Sequence, residues 1–306
     1  MDLRQLRALV AVGDYQSFSL AARSLHTVQS NVSTHVSRLE RELGVTLVDR
    51  ATMELTEEGV VVAARAKRIE AEFVALESDV ASMRDEVRGT VRLGVIGTTA
   101  RWLVPKVLSD MFARHPAIAV VVLDATTSSL LPQLLGGQID LAVVNLPVTD
   151  PDLIVERLFD EDRLLVAPAD HPLHSRASVT MADLARHDLL LEAKGTSFRD
   201  ELDEDARLAG VELRGRAEFD GMRLLASLAF AGFGAAVLPA SAAPGTIEGT
   251  WKRIPITDAS SRSVGLARRR RGLPSAAERA VADSIRSTIS SSAHEQAGVH
   301  PVVAGS

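Results

Sequence analysis

The chain has 306 residues, no cysteine and a formal net charge of −6. This length allows more than one domain, each with its own core, and the lack of cysteine excludes disulfides, thiolate metal sites and cysteine nucleophiles. No apolar run approaches the ~20 residues of a membrane-spanning helix, and the amino-terminus lacks the features of a signal peptide. We therefore expect a cytoplasmic protein with no membrane partner.

Near the amino-terminus the sequence predicts two helices joined by a tight turn. Ser17 can cap a short helix that ends near Leu25. After a polar break, a second helix is expected over residues 28–43, with Thr27 as its N-cap. Gly44 can end that helix in the left-handed conformation that glycine favours.

The second of these helices has two contrasting faces. Its buried stripe is predicted to consist of Val32, Val36, Leu39 and Leu43. Short neutral polar side chains dominate the opposite face, and such groups suit base edges and phosphates, whereas an acidic face would be repelled. The residues expected to contact DNA from this face are Gln29, Ser30, Asn31, Ser33, Thr34 and Arg38. The pattern favours a helix-turn-helix; a helical hairpin inside a bundle is the alternative.

Residues 1–59 resemble the winged helix-turn-helix of LysR-type transcriptional regulators. The matching residues are Leu3, Leu6, Phe18, Ala21, Ala22, Leu25, Gln29, Ser33, Leu39, Glu40, Leu43, Gly44, Leu47, Arg50, Leu55, Thr56, Glu57 and Gly59. The resemblance implies a β-hairpin wing over residues 45–56, from which Arg50 would contact phosphate. Residues 1–53 have a net charge of only +1, from six arginines and five acidic residues. The positions of the arginines, rather than the total charge, must therefore provide the phosphate contacts.

A long helix is predicted next, within a linker segment over residues 60–89. Apolar residues recur along it at alternating steps of four and three, which is a heptad seam. The seam residues are Val62, Ala66, Ile69, Phe73, Leu76, Val80, Met83 and Val87. A single helix cannot bury such a seam on itself, so we expect a dimerisation helix that ends in a hinge at Arg88 and Gly89. Packing of the helix against its own carboxy-terminal domain is the alternative.

From residue 90 onward, strands alternate with helices, a pattern that indicates parallel sheets. This part resembles the effector-binding domain of LysR-type regulators, which has the two-lobed fold of periplasmic solute-binding proteins. The matching segments are Thr98-Thr99, Thr127, Leu130, Leu134, Gly137, Asp140, 170–173, 231–234 and Leu238-Pro239. The resemblance implies one effector-binding domain over residues 90–290. Its first lobe would comprise residues 90–162 plus 265–290 and its second lobe residues 163–264, followed by a disordered tail over residues 291–306. The predicted fold class is thus a multi-domain α+β protein.

The turns that lead from strands into helices provide the candidate ligand site. Ligands of open α/β sheets bind beyond the carboxyl ends of the strands, where helix N-termini present free N–H groups. The candidate effector-binding residues are Thr98, Thr99, Thr127, Ser128, Asn145, Thr196, Ser197 and Gly221. The alternative for each hydroxyl is that it only caps its helix.

The candidate motifs for enzyme chemistry in this sequence are incomplete or in the wrong order. The segment Gly232-Phe233-Gly234 lies between a helix and a strand, the reverse of the dinucleotide-binding order. His171 and His174 flank Pro172 in an expected loop without an acidic partner. We therefore expect no enzyme activity, no cofactor and no metal.

The sequence thus predicts a sequence-specific DNA-binding transcriptional regulator whose geometry on DNA is switched by a small-molecule effector. It would act as a homodimer or homotetramer, and RNA polymerase is a further partner that the resemblance admits. The alternative is a ligand-binding or enzymatic α/β domain with a helical interaction module at its amino-terminus.

Overall fold

The computed structural model describes residues 1–82, 87–243 and 249–302. The helices are α1 (Leu3–Tyr15), α2 (Phe18–Ser24), α3 (Gln29–Leu43), α4 (Glu57–Ser82), α5 (Gly97–Arg114), α6 (Thr127–Leu135), α7 (Met181–Leu184), α8 (Ser197–Leu208), α9 (Met222–Phe230) and α10 (Ala276–Ser292). The strands are β1 (Gly89–Val95), β2 (Ile118–Asp124), β3 (Leu141–Asn145), β4 (Leu153–Glu161), β5 (Arg163–Pro168), β6 (Asp188–Glu192), β7 (Arg214–Phe219), β8 (Ala236–Pro239), β9 (Trp251–Pro255), β10 (Arg262–Arg269) and β11 (Val299–Pro301). The predicted fold class, with a helical head, a linker helix and a two-lobed α/β domain, is confirmed.

The head is formed by α1, α2, α3 and the first turns of α4, which share one apolar core. Val32, Val36 and Leu39 are fully buried there, as their spacing predicts, but Leu43 is 40% exposed. Leu43 is the last residue of α3, and its side chain lies outside the apolar core of the head. Ser17 caps α2 as expected. The expected cap of α3 is wrong, since Val28 occupies the N-cap without any side-chain hydrogen bond.

The wing is smaller than a β-hairpin. A single antiparallel bridge joins Val48 to Leu55. Between them, the N–H of Met53 donates to the carbonyl oxygen of Asp49 at 2.8 Å, and the backbone turns there with a positive φ of 63° at Met53. A turn with one bridge therefore replaces the expected hairpin.

Helix α4 has two different surroundings along its length. Ala63 and Ala66 are buried in the core of the head. Further along, the seam residues Phe73, Leu76 and Val80 are 49%, 60% and 50% exposed. No described part of the chain covers these three side chains. The end of the expected seam differs, because Val87 packs against the first lobe instead, and Met83 lies outside the described residues.

The first lobe is built on a six-stranded sheet with the order β11-β4-β10-β3-β1-β2. Strands β1, β2 and β3 are parallel, whereas β10 is antiparallel to both β3 and β4. The second lobe has a five-stranded sheet with the order β7-β6-β8-β5-β9, in which β5 is antiparallel to β8 and β9. Both sheets are therefore mixed, because strands returning from a crossover run against the parallel strands.

Two predicted boundaries are wrong. The first lobe resumes at Arg262, where β10 begins, rather than at residue 265. The expected disordered tail is ordered through residue 302, because α10 extends to Ser292 and β11 pairs with β4 at the sheet edge. Val299 of β11 is 5% exposed and joins the core of the first lobe. Residues 303–306 lie outside the described part of the chain.

Across the described residues, no helix combines the length and apolar character needed to cross a bilayer.

Candidate nucleic-acid interface and ligand cleft

Helix α3 presents its polar face to solvent. Gln29, Ser30, Asn31, Thr34 and Arg38 are exposed, and Ser33 is half-buried. The Ser19 hydroxyl donates to Oε1 of Gln29 at 2.8 Å, which ties the start of α3 to α2. The face is therefore available to a major groove, and contact of these side chains with bases stays a prediction.

Arg50 lies across the same helix instead of pointing away from it. Its Nη2 donates to the Ser37 hydroxyl at 2.8 Å and its Nη1 to the Ser33 hydroxyl at 3.4 Å. The guanidinium is also 5.4 Å from the ring centre of Phe18 and 3.6 Å from a Glu40 oxygen. Arg50 thus places positive charge beside the polar face of α3, where a phosphate would approach.

The first lobe brings together four of the predicted effector-binding residues at the ends of β1 and β3. The Thr127 hydroxyl accepts from the backbone N–H of Asn145 at 3.0 Å. Thr98 and Thr99 follow β1 and are 7% and 0% exposed. Among the described residues, Oγ1 of Thr99 and Oδ1 of Asn145 are buried without a hydrogen-bond partner. Such groups are unfavourable unless a ligand or water satisfies them.

Arg262, the first residue of β10, is the charged centre of this cluster. Its Nη2 donates to the Thr98 hydroxyl at 3.0 Å, and its Nε donates to Oε1 of Glu161 at 2.8 Å. The other Glu161 oxygen accepts from the backbone N–H of Ser241 at 2.8 Å. Both members of this ion pair are buried. A fixed positive charge therefore lies directly against Thr98.

The second lobe contributes the N-termini of α8 and α9. Thr196 caps α8, and its hydroxyl lies 3.1 Å from Oε2 of Glu192. Burial raises the pKa of the Glu192 carboxyl, while the Thr196 hydrogen bond and Arg262 of the first lobe act to lower it. Arg262 therefore acts on groups of both lobes. Ser197 is exposed at the start of α8.

One ion pair crosses between the lobes at the mouth of this region. Arg223 of α9 pairs with Asp124 at the end of β2. Gly97 lies beneath the pair, because a Cβ there would approach Asp124 Oδ1 to 2.9 Å. Gly221, which precedes α9, has a φ of 133° that favours glycine. Ser128 is exposed, and its hydroxyl is 3.0 Å from that of Thr126.

An open groove of about 650 Å³ adjoins the cluster. Arg262 forms part of its wall, together with Glu201 and residues 146–148 and 260–263. The predicted threonines lie behind Arg262 rather than on this wall.

The sequence prediction missed Arg262, Glu161 and Glu192. Glu161 and Arg262 are 101 residues apart in the chain, and no local pattern links them. The available signal in the sequence was a charged residue at each point where the chain crosses between the lobes, Glu161 at the first and Arg262 at the second.

Comparison with known proteins gives the family. The profile "Bacterial regulatory helix-turn-helix protein, lysR family" matches residues 3–60, and "LysR substrate binding domain" matches residues 84–290. The "Probable hydrogen peroxide-inducible genes activator" of Streptomyces viridosporus is 36% identical over 244 residues, which cover 79% of this chain and 78% of the relative. The protein of the same name from Mycobacterium leprae is 34% identical and covers 94% of both chains.

Among solved structures, a full-length OxyR variant from Pseudomonas aeruginosa superposes with a TM-score of 0.74 at 26% identity, covering 94% of this chain and 95% of the other. Both family profiles and these relatives extend over the head and the two lobes. The chain therefore belongs to the LysR family and is a DNA-binding transcriptional regulator with an effector-binding domain.

Proposed function

We propose that a small anionic metabolite binds between the two lobes and changes how an oligomer of this regulator sits on its DNA. The observation that carries this proposal is that two of the buried groups without a hydrogen-bond partner among the described residues, Thr99 Oγ1 and Asn145 Oδ1, both belong to this cleft. They lie at the carboxyl ends of parallel strands, where ligands of α/β sheets bind. A ligand with an acceptor for the Thr99 hydroxyl and an N–H or O–H donor for Asn145 Oδ1 gains a hydrogen bond at each group.

An anion fits the charge of this region. Arg262 is held against Thr98, and the N-termini of α5, α6 and α8 all lead from strand ends, where free N–H groups attract negative charge. A ligand carboxylate can bind to the Arg262 guanidinium alongside Glu161.

This chain cannot respond through oxidation of a thiol, although its relatives are named for induction by hydrogen peroxide. The sequence contains no cysteine, and Ser197 and Thr196 supply hydroxyls at the start of α8 instead. Reversible binding of a metabolite is therefore the signal that we propose. We assign the chain no catalytic role and no cofactor, and place its action in the cytoplasm.

Dimerisation through α4 is the oligomeric contact that we propose. Ile69, Phe73, Leu76 and Val80 form an exposed apolar seam, and α4 packs with its other face on its own chain. The alternative, in which the seam packs on its own carboxy-terminal domain, holds for Val87 but not for Phe73, Leu76 and Val80. Two exposed aromatic side chains on the lobes, Phe112 and Phe233, at 63% and 64% exposure, are candidates for the contacts of a tetramer. RNA polymerase would be a further partner on DNA.

The proposal is tested in two steps. A thermal-shift screen of carboxylate metabolites, with hydrogen peroxide as a comparison, should raise the melting temperature with a carboxylate and not with peroxide. Footprinting on the DNA that flanks the protein's own coding region should then show a different protected length with and without the best carboxylate. Identical footprints at saturating ligand would refute the switch.

A further inference from the structure

Helix α6 connects the ligand cleft to the linker helix. At its start, Thr126 caps the helix and the Thr127 hydroxyl accepts from the backbone N–H of Asn145 in the cleft. At its end, the Leu135 carbonyl oxygen accepts from Arg68 of α4, with Nη2 at 2.6 Å and Nε at 3.1 Å. One short helix therefore touches both the candidate effector site and the helix that carries the head.

The contact at the far end is electrostatically favourable. The last carbonyls of a helix carry partial negative charge, and a guanidinium there donates charge-assisted hydrogen bonds. Arg68 places both donors on one carbonyl oxygen. Arg269 of β10 donates to the neighbouring Leu134 carbonyl at 3.0 Å. Arg68 of the linker helix and Arg269 of the first lobe therefore bind neighbouring carbonyl groups at the end of α6.

Helix α6 is short and anchored along its length, with Pro132 inside it. Its nine residues span about 13 Å. Leu130 and Leu134 are 0% exposed and fix it in the core of the first lobe. Leu130 also packs closely on β1, since a Cβ at Gly94 would lie 2.7 Å from it. A shift at the cleft end thus moves the Leu135 carbonyl as well.

A second contact keeps α4 on the first lobe. Oδ1 of Asp79 accepts from the backbone N–H of Ala276 at 2.9 Å, at the start of α10, and from Nη2 of Arg279 at 3.4 Å. This contact lies three turns beyond Arg68 and does not involve α6. Arg68 is the residue that brings the linker helix to α6.

We propose that Arg68 is a positioning residue that couples the cleft to the DNA-binding head through α6. The inference rests on the proposed function, because it takes the cleft as the effector site, and it adds the path by which the head responds. Movement of Thr127 and Asn145 around a ligand shifts α6, and the Arg68 hydrogen bonds carry that shift into α4. Without Arg68, the cleft can change while the head keeps its orientation.

The test needs no effector. Cysteines are introduced by Thr46→Cys in the head and Ser287→Cys in the first lobe, and a spin label is attached to each. Because the chain has no cysteine of its own, no other site is labelled. Both positions are exposed. Pulsed electron resonance on the full-length protein, diluted with unlabelled chains, gives the distance within one chain. The perturbation is Thr127→Val, which removes the acceptor of the Asn145 N–H, and Thr127→Ser is its matched control.

We expect Thr127→Val to shift the mean distance between the two labels by about 2 Å or more. In a protein that also carries Arg68→Met, Thr127→Val should produce less than half of that shift. Arg68→Lys should restore the shift, since an ammonium can still donate to the Leu135 carbonyl. Arg65→Met, which removes an arginine one turn earlier on the same groove, should leave the shift unchanged.

Two results would overturn the proposal. One is an equal shift with and without Arg68, which would route the coupling elsewhere. The other is no shift from Thr127→Val in any background, which would leave the cleft end of α6 uncoupled from the head. Since no metabolite is added, a protein that fails the ligand screen would still give a clear result here, so the two failures are distinguishable.

Discussion

Arg262 and Glu161 form a buried ion pair where the chain crosses between its two lobes, with Nε 2.8 Å from Oε1. Glu161 ends β4, just before the chain enters the second lobe, and Arg262 begins β10, just after it returns. The pair therefore joins the two crossing points, and its third partner is the Thr98 hydroxyl of the ligand cleft. The Arg262 guanidinium therefore contributes to the stability of the domain and also contacts Thr98 in the ligand cleft.

Replacing Arg262 should destabilise the effector-binding domain strongly. Arg262→Met leaves the Glu161 carboxylate buried with only the Ser241 N–H as a partner, and removing one member of a buried pair lowers the free energy of unfolding by about 3–5 kcal/mol. Urea unfolding of the full chain measures it. The control is Arg157→Met, which breaks a more exposed pair with Asp160 and should lower the free energy of unfolding by about 1 kcal/mol or less. Equal losses in both variants would contradict the role of burial.

Thr99→Val should abolish the effector response while leaving the fold intact. The hydroxyl is buried without a partner, so its loss removes an unfavourable group and should leave the free energy of unfolding unchanged or raise it by about 1 kcal/mol. Titration calorimetry with the best carboxylate from the screen should give a dissociation constant at least tenfold larger than that of the wild type. DNA binding without ligand should match the wild type. An unchanged affinity for the carboxylate would place the effector site elsewhere.

The candidate cleft could be predicted from local signals only in part. Thr98, Thr99 and Thr127 each follow a strand and start a helix, and that order is visible in the sequence. Arg262 could not be assigned, because its partners Glu161 and Thr98 are 101 and 164 residues away. Their meeting depends on the two crossovers between lobes, which periodicity does not reveal.

The head and the tail show the same limit. The stripe of α3 follows from its 3.6-residue period, yet Leu43 shares that spacing and lies outside the core of the head. The tail lacked any periodic pattern, since β11 has three residues and buries one of them, Val299. Its order comes from pairing with β4, a strand of nine residues.

Two substitutions in the head separate reading of bases from contact with phosphate. Thr34→Ala should relax base preference at one or two operator positions by about 1–3 kcal/mol, because a base-edge contact is lost. Arg38→Ala should weaken binding to all sequences alike and flatten the dependence of affinity on salt. Gel shifts over a series of salt concentrations and operator variants measure both. Wild-type affinity and selectivity in both variants would show that the polar face of α3 does not enter the groove.

A charge in the seam of α4 should break the dimer. Phe73 is 49% exposed in the single chain, and Phe73→Asp would bury an unpaired carboxylate between two copies. Light scattering should report a monomer or insoluble protein, while Phe73→Leu, which keeps the seam apolar, should stay dimeric. A stable dimer of Phe73→Asp would assign the contact between copies to another surface.

Glu278, near the start of α10, should make stability depend on pH. Burial raises its pKa to about 7, and the nearby Asp140 adds to the rise, while Arg269 and the Ser275 N–H oppose it. Glu72 of the linker helix also faces the group and raises its pKa further. The carboxyl belongs to a capping box in which its oxygen accepts from Ser275 at 3.2 Å. A glutamine can keep that hydrogen bond.

The folded chain holds the Glu278 proton up to about pH 7, whereas an unfolded glutamate loses it near its ordinary pKa of about 4.3. Between these values the folded state binds more protons, so the free energy of unfolding falls as pH rises and levels off above pH 7. Glu278→Gln has no such proton and should be more stable than wild type at pH 8, by at most about 4 kcal/mol, and nearly equal to it near pH 4.5. Urea unfolding at several pH values measures the difference. Glu204→Gln, an exposed partner of Arg207 whose carboxyl has a lowered pKa, should show no difference between pH 5 and 8. A gap between wild type and Glu278→Gln that stays constant from pH 5 to 8 would mean that Glu278 is ionised throughout in the folded protein.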